Sequence, residues 1–185
     1  MAILTYGMHI SLDGYIEDSA GSIGFGTPDE EMHTLANQQA RDTAAFLFGR
    51  RLYDVMEEFW TSPERADGDP VEAEFAEIYA ETPRIVFSDS LESVPEGCRL
   101  VRRADTVDEI TRLKRDLDGI LSVGGAELAA SVVDLIDEVN PWILPVVLGG
   151  GRPFYPMGTR LDLTLVEHRS YQPSGWAYTR YTVTR

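Results

Sequence analysis

Gly119-Ile120-Leu121-Ser122-Val123-Gly124-Gly125-Ala126-Glu127-Leu128 is the stretch that decides the architecture of this chain. The short run through Val123 is mostly apolar and ends at two glycines, as a buried strand does. From Ala126 to about Val133 the residues suit a helix. A strand that passes through Gly-Gly straight into a helix is the first half of a parallel βα unit, and its turn lies at the carboxyl end of the strand. Glycine there permits close backbone approach. The helix start beyond it offers free N–H groups and a partial positive charge.

The same grammar recurs along the chain. Ala44-Ala-Phe-Leu-Phe48 reads as a buried strand ending at Gly49, followed by a helix from Arg50 to about Phe59. Arg84-Ile-Val-Phe-Ser88 is a strand that runs into Ser88-Asp89-Ser90. Residues 3–10 read as a first strand and 18–27 as a Gly/Ser-rich loop. Thr27-Pro28-Asp29-Glu30 has the form of a capping box and predicts a helix to about Asp42. Residues 60–70 read as an exposed loop, after which Asp69-Pro70-Val71-Glu72 opens a helix to about Ala80. A short strand is expected over 99–102, and Thr106-Val107-Asp108-Glu109 as a further capping box. Val107, Ile110, Leu113 and Leu117 then follow at helical spacing. Val139 to Leu148 reads as one long strand despite Pro141 and Pro145. Residues 161–170 and 176–184 alternate apolar with polar around Gln172-Pro-Ser-Gly175, the pattern of an antiparallel hairpin. The expectation is one α/β domain over 1–185. It has three αβα layers around a mostly parallel sheet of about eight strands, with the hairpin at one edge.

Composition narrows the partners. The 185 residues carry 31 acidic and 16 basic side chains, a formal net charge of −15. Such a balance argues against nucleic acid and anionic membranes, which need a broad basic face. It leaves room for a small anionic ligand held by a local basic pocket. At 43% hydrophobic the chain is no disordered acidic tail. Cys98 is the single cysteine, so no internal disulfide forms, in keeping with a cytoplasmic setting. The N-terminus lacks the pattern of a signal peptide, and no apolar run approaches the ~20 residues that span a bilayer.

Three strand-to-helix junctions therefore carry the chemistry: Gly49-Arg50-Arg51, Ser88, and Gly124-Gly125-Ala126-Glu127-Leu128. Arg matches phosphate geometry with a forked donor, so the set suits a diphosphate plus a further phosphate. Each feature has a plainer reading as well, as a tight turn, a surface pair or a strand end. Familiar fingerprints are absent: no Gly-x-Gly-x-x-Gly follows the first strand and there is no Gly-Lys-Ser/Thr. His9, His33, His168 and one cysteine have no zinc-ligand spacing, so no metal is expected.

Met8-His-Ile-Ser-Leu-Asp-Gly-Tyr-Ile16, Phe48-Gly-Arg-Arg-Leu-Tyr53, Ile85-Val-Phe-Ser88, Val123-Gly-Gly-Ala-Glu-Leu128 and Pro145-Val-Val-Leu-Gly-Gly-Gly-Arg-Pro-Phe154 follow one another in the order of a known group. Together they resemble the dihydrofolate-reductase-like superfamily, and within it the reductase domain of the riboflavin-biosynthesis deaminase–reductase. The zinc deaminase domain is not in this sequence, so it resembles the stand-alone members, commonly homodimers. The resemblance implies NADPH, with Gly49, Arg50 and Arg51 toward the adenosine 2′-phosphate and ribose, and Ser88 beside that phosphate. It puts the diphosphate on the N–H groups of Gly124, Gly125, Ala126, Glu127 and Leu128. Leu52 stands where the family often has Thr. The implied chemistry is hydride transfer to a C=N or C=O bond of a small pyrimidine or pterin-type heterocycle. The implied catalytic candidates are Asp13, lining the substrate pocket, and Glu30, at the helix that carries the substrate carboxylate in dihydrofolate reductases. Each has a structural alternative, Asp13 as a turn aspartate and Glu30 as part of a capping box. A true dihydrofolate reductase, an NADP(H)-binding module without turnover and a dimeric scaffold are the rival readings.

Overall fold

The structure is a computed structural model that describes residues 1–66 and 68–185; Asp67, inside the expected 60–70 loop, lies outside the described residues. Its strands are β1 (Ile3–Tyr6), β2 (His9–Ser11), β3 (Tyr15–Glu17), β4 (Thr43–Gly49), β5 (Arg84–Phe87), β6 (Cys98–Val101), β7 (Ile120–Gly124), β8 (Glu138–Val139), β9 (Trp142–Leu144), β10 (Arg152–Pro153), β11 (Asp162–Tyr171) and β12 (Trp176–Thr184). The helices are α1 (Glu30–Arg41), α2 (Arg50–Trp60), α3 (Pro63–Ala66), α4 (Pro70–Glu81), α5 (Thr106–Asp116) and α6 (Ala126–Ser131).

β1, β7, β4, β5 and β6 run parallel in that spatial order. On the other side of β1 the register explains two departures from the sequence reading. Thr5 and Tyr6 lie opposite Glu138 and Val139, and His9 to Ser11 opposite Trp142 to Leu144, all in one parallel register. The expected strand over 3–10 is thus split into β1 and β2 at Gly7 and Met8. The expected strand over Val139–Leu148 is split at Asn140 and Pro141 and ends at Leu144. The two breaks face each other. Gly7 fits there because a Cβ on it would lie 2.9 Å from the Asn140 carbonyl oxygen. Pro141 has no N–H for a ladder and Pro145 stops the strand. β12 runs antiparallel to β8 and β9, with β11 outside it. With each split strand taken as one, the main sheet has eight positions, mostly parallel, and the hairpin forms one edge.

Burial on both faces of β4 accounts for its unbroken apolar run. Ala45 and Leu47 join the core under α5 and α6, which supply Ile110, Leu113 and Leu128. Phe46 and Phe48 point to the opposite core with Tyr53 of α2 and Tyr79 of α4. On that same side α1 packs Met32 and Leu35 over Trp142, Leu144, Trp176 and Tyr178 of β9 and β12.

Two expected capping boxes do not form. Asp29, not Thr27, caps α1, its Oδ1 accepting from Met32 N at 2.9 Å, so Glu30 is the first helical residue. Thr106 lies inside α5 and donates to Arg103 O at 2.8 Å, while Glu109 accepts from Arg112 and pairs with Arg99. At α1 the neighbouring Asp29 takes the cap, whereas at α5 the N-cap residue, Asp105, makes no side-chain cap bond. Asp69 does cap α4, accepting from Val71 N at 2.9 Å with Pro70 at the first position. The helix expected through Val133 ends at Ser131 and is followed by a 3-10 turn, Val133–Leu135. α3 interrupts the expected 60–70 loop. No helix among the described residues is long and apolar enough to cross a membrane.

Candidate nucleotide site

From β4 the chain crosses to β5, away from β7. From β7 it crosses to β8, which lies beyond β1 in the opposite direction. The crossovers diverge at the β7–β4 boundary, the switch point where open α/β sheets bind ligands at the carboxyl ends of strands. There Phe48 lies opposite Gly124, and Gly49 opposite Phe87 of β5. The three segments expected from the sequence therefore sit side by side, but only two are strand-to-helix junctions: no helix follows β5, and the chain runs from Ser88 through residues 89–97 to β6. The α2 and α6 starts abut: a Cβ on Gly125 would be 4.0 Å from Gly49 N.

These two helix starts differ from those of α1 and α4. α2 begins on Gly49 and α6 on Gly125, and neither has a side-chain cap. Their first N–H groups are left for a ligand or for water. α2 has no acidic residue in its first turn. Gly125 has φ +100°, a conformation that a side chain would strain. Gly124 is required by packing, since a Cβ on it would come within 2.5 Å of Leu52 Cδ2 and 2.9 Å of Phe48 Cδ1. Leu52 thus packs beneath the turn. At Gly49 the nearest atom to an added Cβ is Leu128 Cβ, at an ordinary 3.7 Å. The protein itself does not demand glycine there, whereas an anion drawn close to the backbone would.

Arg50 and Arg51 part company. Arg50 Nη1 donates to Ser90 Oγ at 2.7 Å and its Nε pairs with Asp54 at 3.3 Å. Ser90 Oγ is 3.2 Å from Ser88 Oγ, and the buried Ser88 hydroxyl accepts from the N–H groups of Ser90 and Leu91, each at 3.2 Å. Arg102 Nη1 wraps the same loop, donating to Leu91 O at 2.9 Å. Arg50, Ser88 and Ser90 thus form one polar cluster. Ser90 was legible only as the second hydroxyl of Ser88-Asp89-Ser90. Arg51 turns the other way, to Glu17 Oε2 at 3.0 Å and Gly21 O at 3.1 Å.

The Ser-Leu-Asp-Gly and Gly-Gly-Gly-Arg motifs, far apart in sequence, interlock. Asp13 Oδ1 accepts from Ser11 Oγ at 2.7 Å and from Leu148 N at 3.1 Å, and its Oδ2 from Gly149 N at 2.8 Å. The Ser11 hydroxyl, with those two N–H groups, holds the Asp13 carboxyl below its usual range. β3 and β10 pair, and a Cβ on Gly151, at φ +138°, would collide with the Glu17 carbonyl. Glu17 then binds Arg152 Nε at 2.6 Å. Asp13 is thereby engaged on both oxygens as a clamp on the 148–149 turn. Glu17 and Arg152 are the partners that the sequence reading did not single out, although Arg152 lies within a quoted motif.

Glu30 opens α1 beside Pro173 of the hairpin turn, with Asp29 and Glu31. The structure does not bring it to the three segments, since α1 packs over β9 and β12. His9 meets Trp176 edge-on at 5.0 Å. The residue is exposed, while desolvation by the protein around it, with His33 a lesser cause, lowers its pKa to about 4. It is neutral at physiological pH.

A profile of the RibD C-terminal domain matches residues 2–175. The uncharacterized protein YyaP of Bacillus subtilis (strain 168) is 28% identical over 166 residues, covering 88% of this chain and 85% of YyaP. Among solved structures, a putative riboflavin biosynthesis protein from Shewanella sp. PV-4 superposes with a TM-score of 0.74 at 21% identity, over 100% of both chains. A diaminohydroxyphosphoribosylaminopyrimidine deaminase/5-amino-6-(5-phosphoribosylamino)uracil reductase from Thermotoga maritima does so with 0.69 at 17% identity, over 99% of this chain and 57% of that one. Dihydrofolate reductase from Enterococcus faecalis, complexed with NADP(H), gives 0.68 at 14% identity, over 99% and 97%. These likenesses establish a dihydrofolate-reductase-like fold, and the profile, which spans nearly the whole sequence, shows that the chain belongs to the RibD C-terminal domain family.

Proposed function

We propose that this chain is an NADPH-dependent reductase that acts on a C=N or C=O bond of a small planar heterocycle of the pyrimidine or pterin type. The observation that carries this reading is the pair of uncapped glycine helix starts abutting at the switch point, flanked by the Arg50–Ser88–Ser90 cluster. The donor set fits the group: backbone N–H for a diphosphate, and a guanidinium with two hydroxyls for a further phosphate. Membership of the RibD C-terminal domain family and the fold shared with an NADP(H)-bound dihydrofolate reductase support the same cofactor.

When bound, NADPH supplies the hydride. The turns at Gly49–Arg51 and Gly124–Leu128 hold its phosphates, and Arg50 with Ser88 and Ser90 reads the one that distinguishes it from NADH. Asp13 fixes the 148–149 turn from beneath. Leu165 and Val166, half-exposed on the edge strand β11, offer an apolar surface for the homodimer implied by the family.

The test is loss of NADPH absorbance with a panel of aminopyrimidines, pterins and dihydrofolate. Oxidation with an aminopyrimidine or pterin is the expected result. Preference for dihydrofolate would make the chain a dihydrofolate reductase. Saturable binding with no turnover on any member would leave a nucleotide-binding module.

A further inference from the structure

The Gly124–Gly125 turn has a charge problem that Arg152 resolves. Glu127, in the first turn of α6, has a side chain 65% exposed. A bare carboxylate there would repel an anion at the turn. Arg152 Nη1 donates to Glu127 Oε1 at 2.6 Å, and Nε of the same guanidinium donates to Glu17 Oε1 at 2.6 Å. Glu17 Oε2 lies 3.0 Å from Arg51 Nη2. The Glu17 side chain is only 8% exposed, so both cations compensate a carboxylate that water barely reaches. The outcome is an alternating chain, Glu127–Arg152–Glu17–Arg51, that is neutral overall. It runs from α6 through β10 and β3 to α2 and so joins the two helices whose starts abut.

We propose that Arg152 is a positioning residue for the cofactor: by holding the Glu127 carboxylate it cancels that charge at the Gly124–Gly125 turn. This rests on the NADPH reading above. Without the guanidinium the cluster gains a net negative charge beside the diphosphate site, and Glu17 keeps only Arg51. The effect is local electrostatics on partly exposed groups, so salt weakens it.

NADPH titrated into wild type, Arg152→Ala, Glu127→Gln and the double variant, followed by protein fluorescence with a thermal melt of each, tests this. At low salt Arg152→Ala is expected to bind about tenfold more weakly, the effect of one uncompensated charge near a surface site. Adding Glu127→Gln should recover most of that loss, and the gap should narrow at high salt. Adenosine 2′-monophosphate, which lacks the diphosphate, should bind wild type and Arg152→Ala alike. Unchanged affinity in Arg152→Ala, or a loss that Glu127→Gln does not restore, overturns the proposal. So does an equal loss for adenosine 2′-monophosphate, which marks general damage. If Arg152→Ala does not fold, Glu127→Gln alone decides: tighter binding at low salt supports the proposal, and equal or weaker binding overturns it. Failure of the wild type to bind NADPH overturns the cofactor reading and this proposal together.

Discussion

Asp13 shows what a single carboxylate can organise. Its two oxygens take up the Ser11 hydroxyl and the N–H groups of Leu148 and Gly149, so the turn after the first strand and the glycine loop beyond β9 share one anchor. Asp13→Ala should leave the melting temperature nearly unchanged, because the group is exposed. It should speed amide exchange at Leu148 and Gly149 by tenfold or more, on the order of one charge-assisted bond. The pH dependence follows from the lowered carboxyl. A depressed folded-state value gives a contribution that is complete above the unfolded value of ~3.9 and is lost as pH falls through the folded one. Protection at Gly149 should therefore persist through mildly acidic pH and fail only below the ordinary aspartate range. Residue types were legible in the sequence, but side-chain direction was not. Arg50 and Arg51 are adjacent, yet one turns to Ser90 and the other to Glu17, and both partners lie far off in sequence.

At the scale of elements, the βα junctions at Gly49 and at Gly124–Gly125 match the sequence reading because their signal is local, whereas Ser88 ends a strand that no helix follows. An apolar run, a glycine and a helix start need no distant partner to be recognised. The starts of α1 and α5 and the split strands depart from the sequence reading for the opposite reason. Gly7 matters only because Asn140 approaches it, and Asp29 rather than Thr27 caps α1, which seats on β9 and β12. The cap assignment is testable by denaturant unfolding. Asp29→Ala should cost about 1 kcal/mol, as N-cap losses do, while Thr27→Ala should cost close to nothing. The reverse order would restore the capping box. Gly125→Ala, at φ +100°, should destabilise by about 1 kcal/mol or more and should weaken NADPH further than its loss of stability explains.

For the whole molecule, the alternation of strands with helices was enough to anticipate a mostly parallel sheet of about eight strands with a terminal antiparallel hairpin. The spatial order of the strands, and hence the switch point at β7 and β4, depends on pairings that no local pattern records. The net charge of −15 takes on a different meaning under the proposed nucleotide site. Under the NADPH reading an anionic cofactor would meet an acidic protein, so its affinity would have to come from contacts made at the crevice itself, inside a Debye length of ~8–10 Å. The most direct measurement is calorimetric titration of NADPH and NADH into wild type and Arg50→Ala. The expected result is saturable NADPH binding, weakened in the variant by about 1.5–3 kcal/mol, the worth of a charge-assisted phosphate contact, with NADH nearly unchanged. Absence of NADPH binding, or an equal loss for the two cofactors, would contradict the assignment of the β7–β4 crevice and the Arg50–Ser88–Ser90 cluster as the nucleotide site.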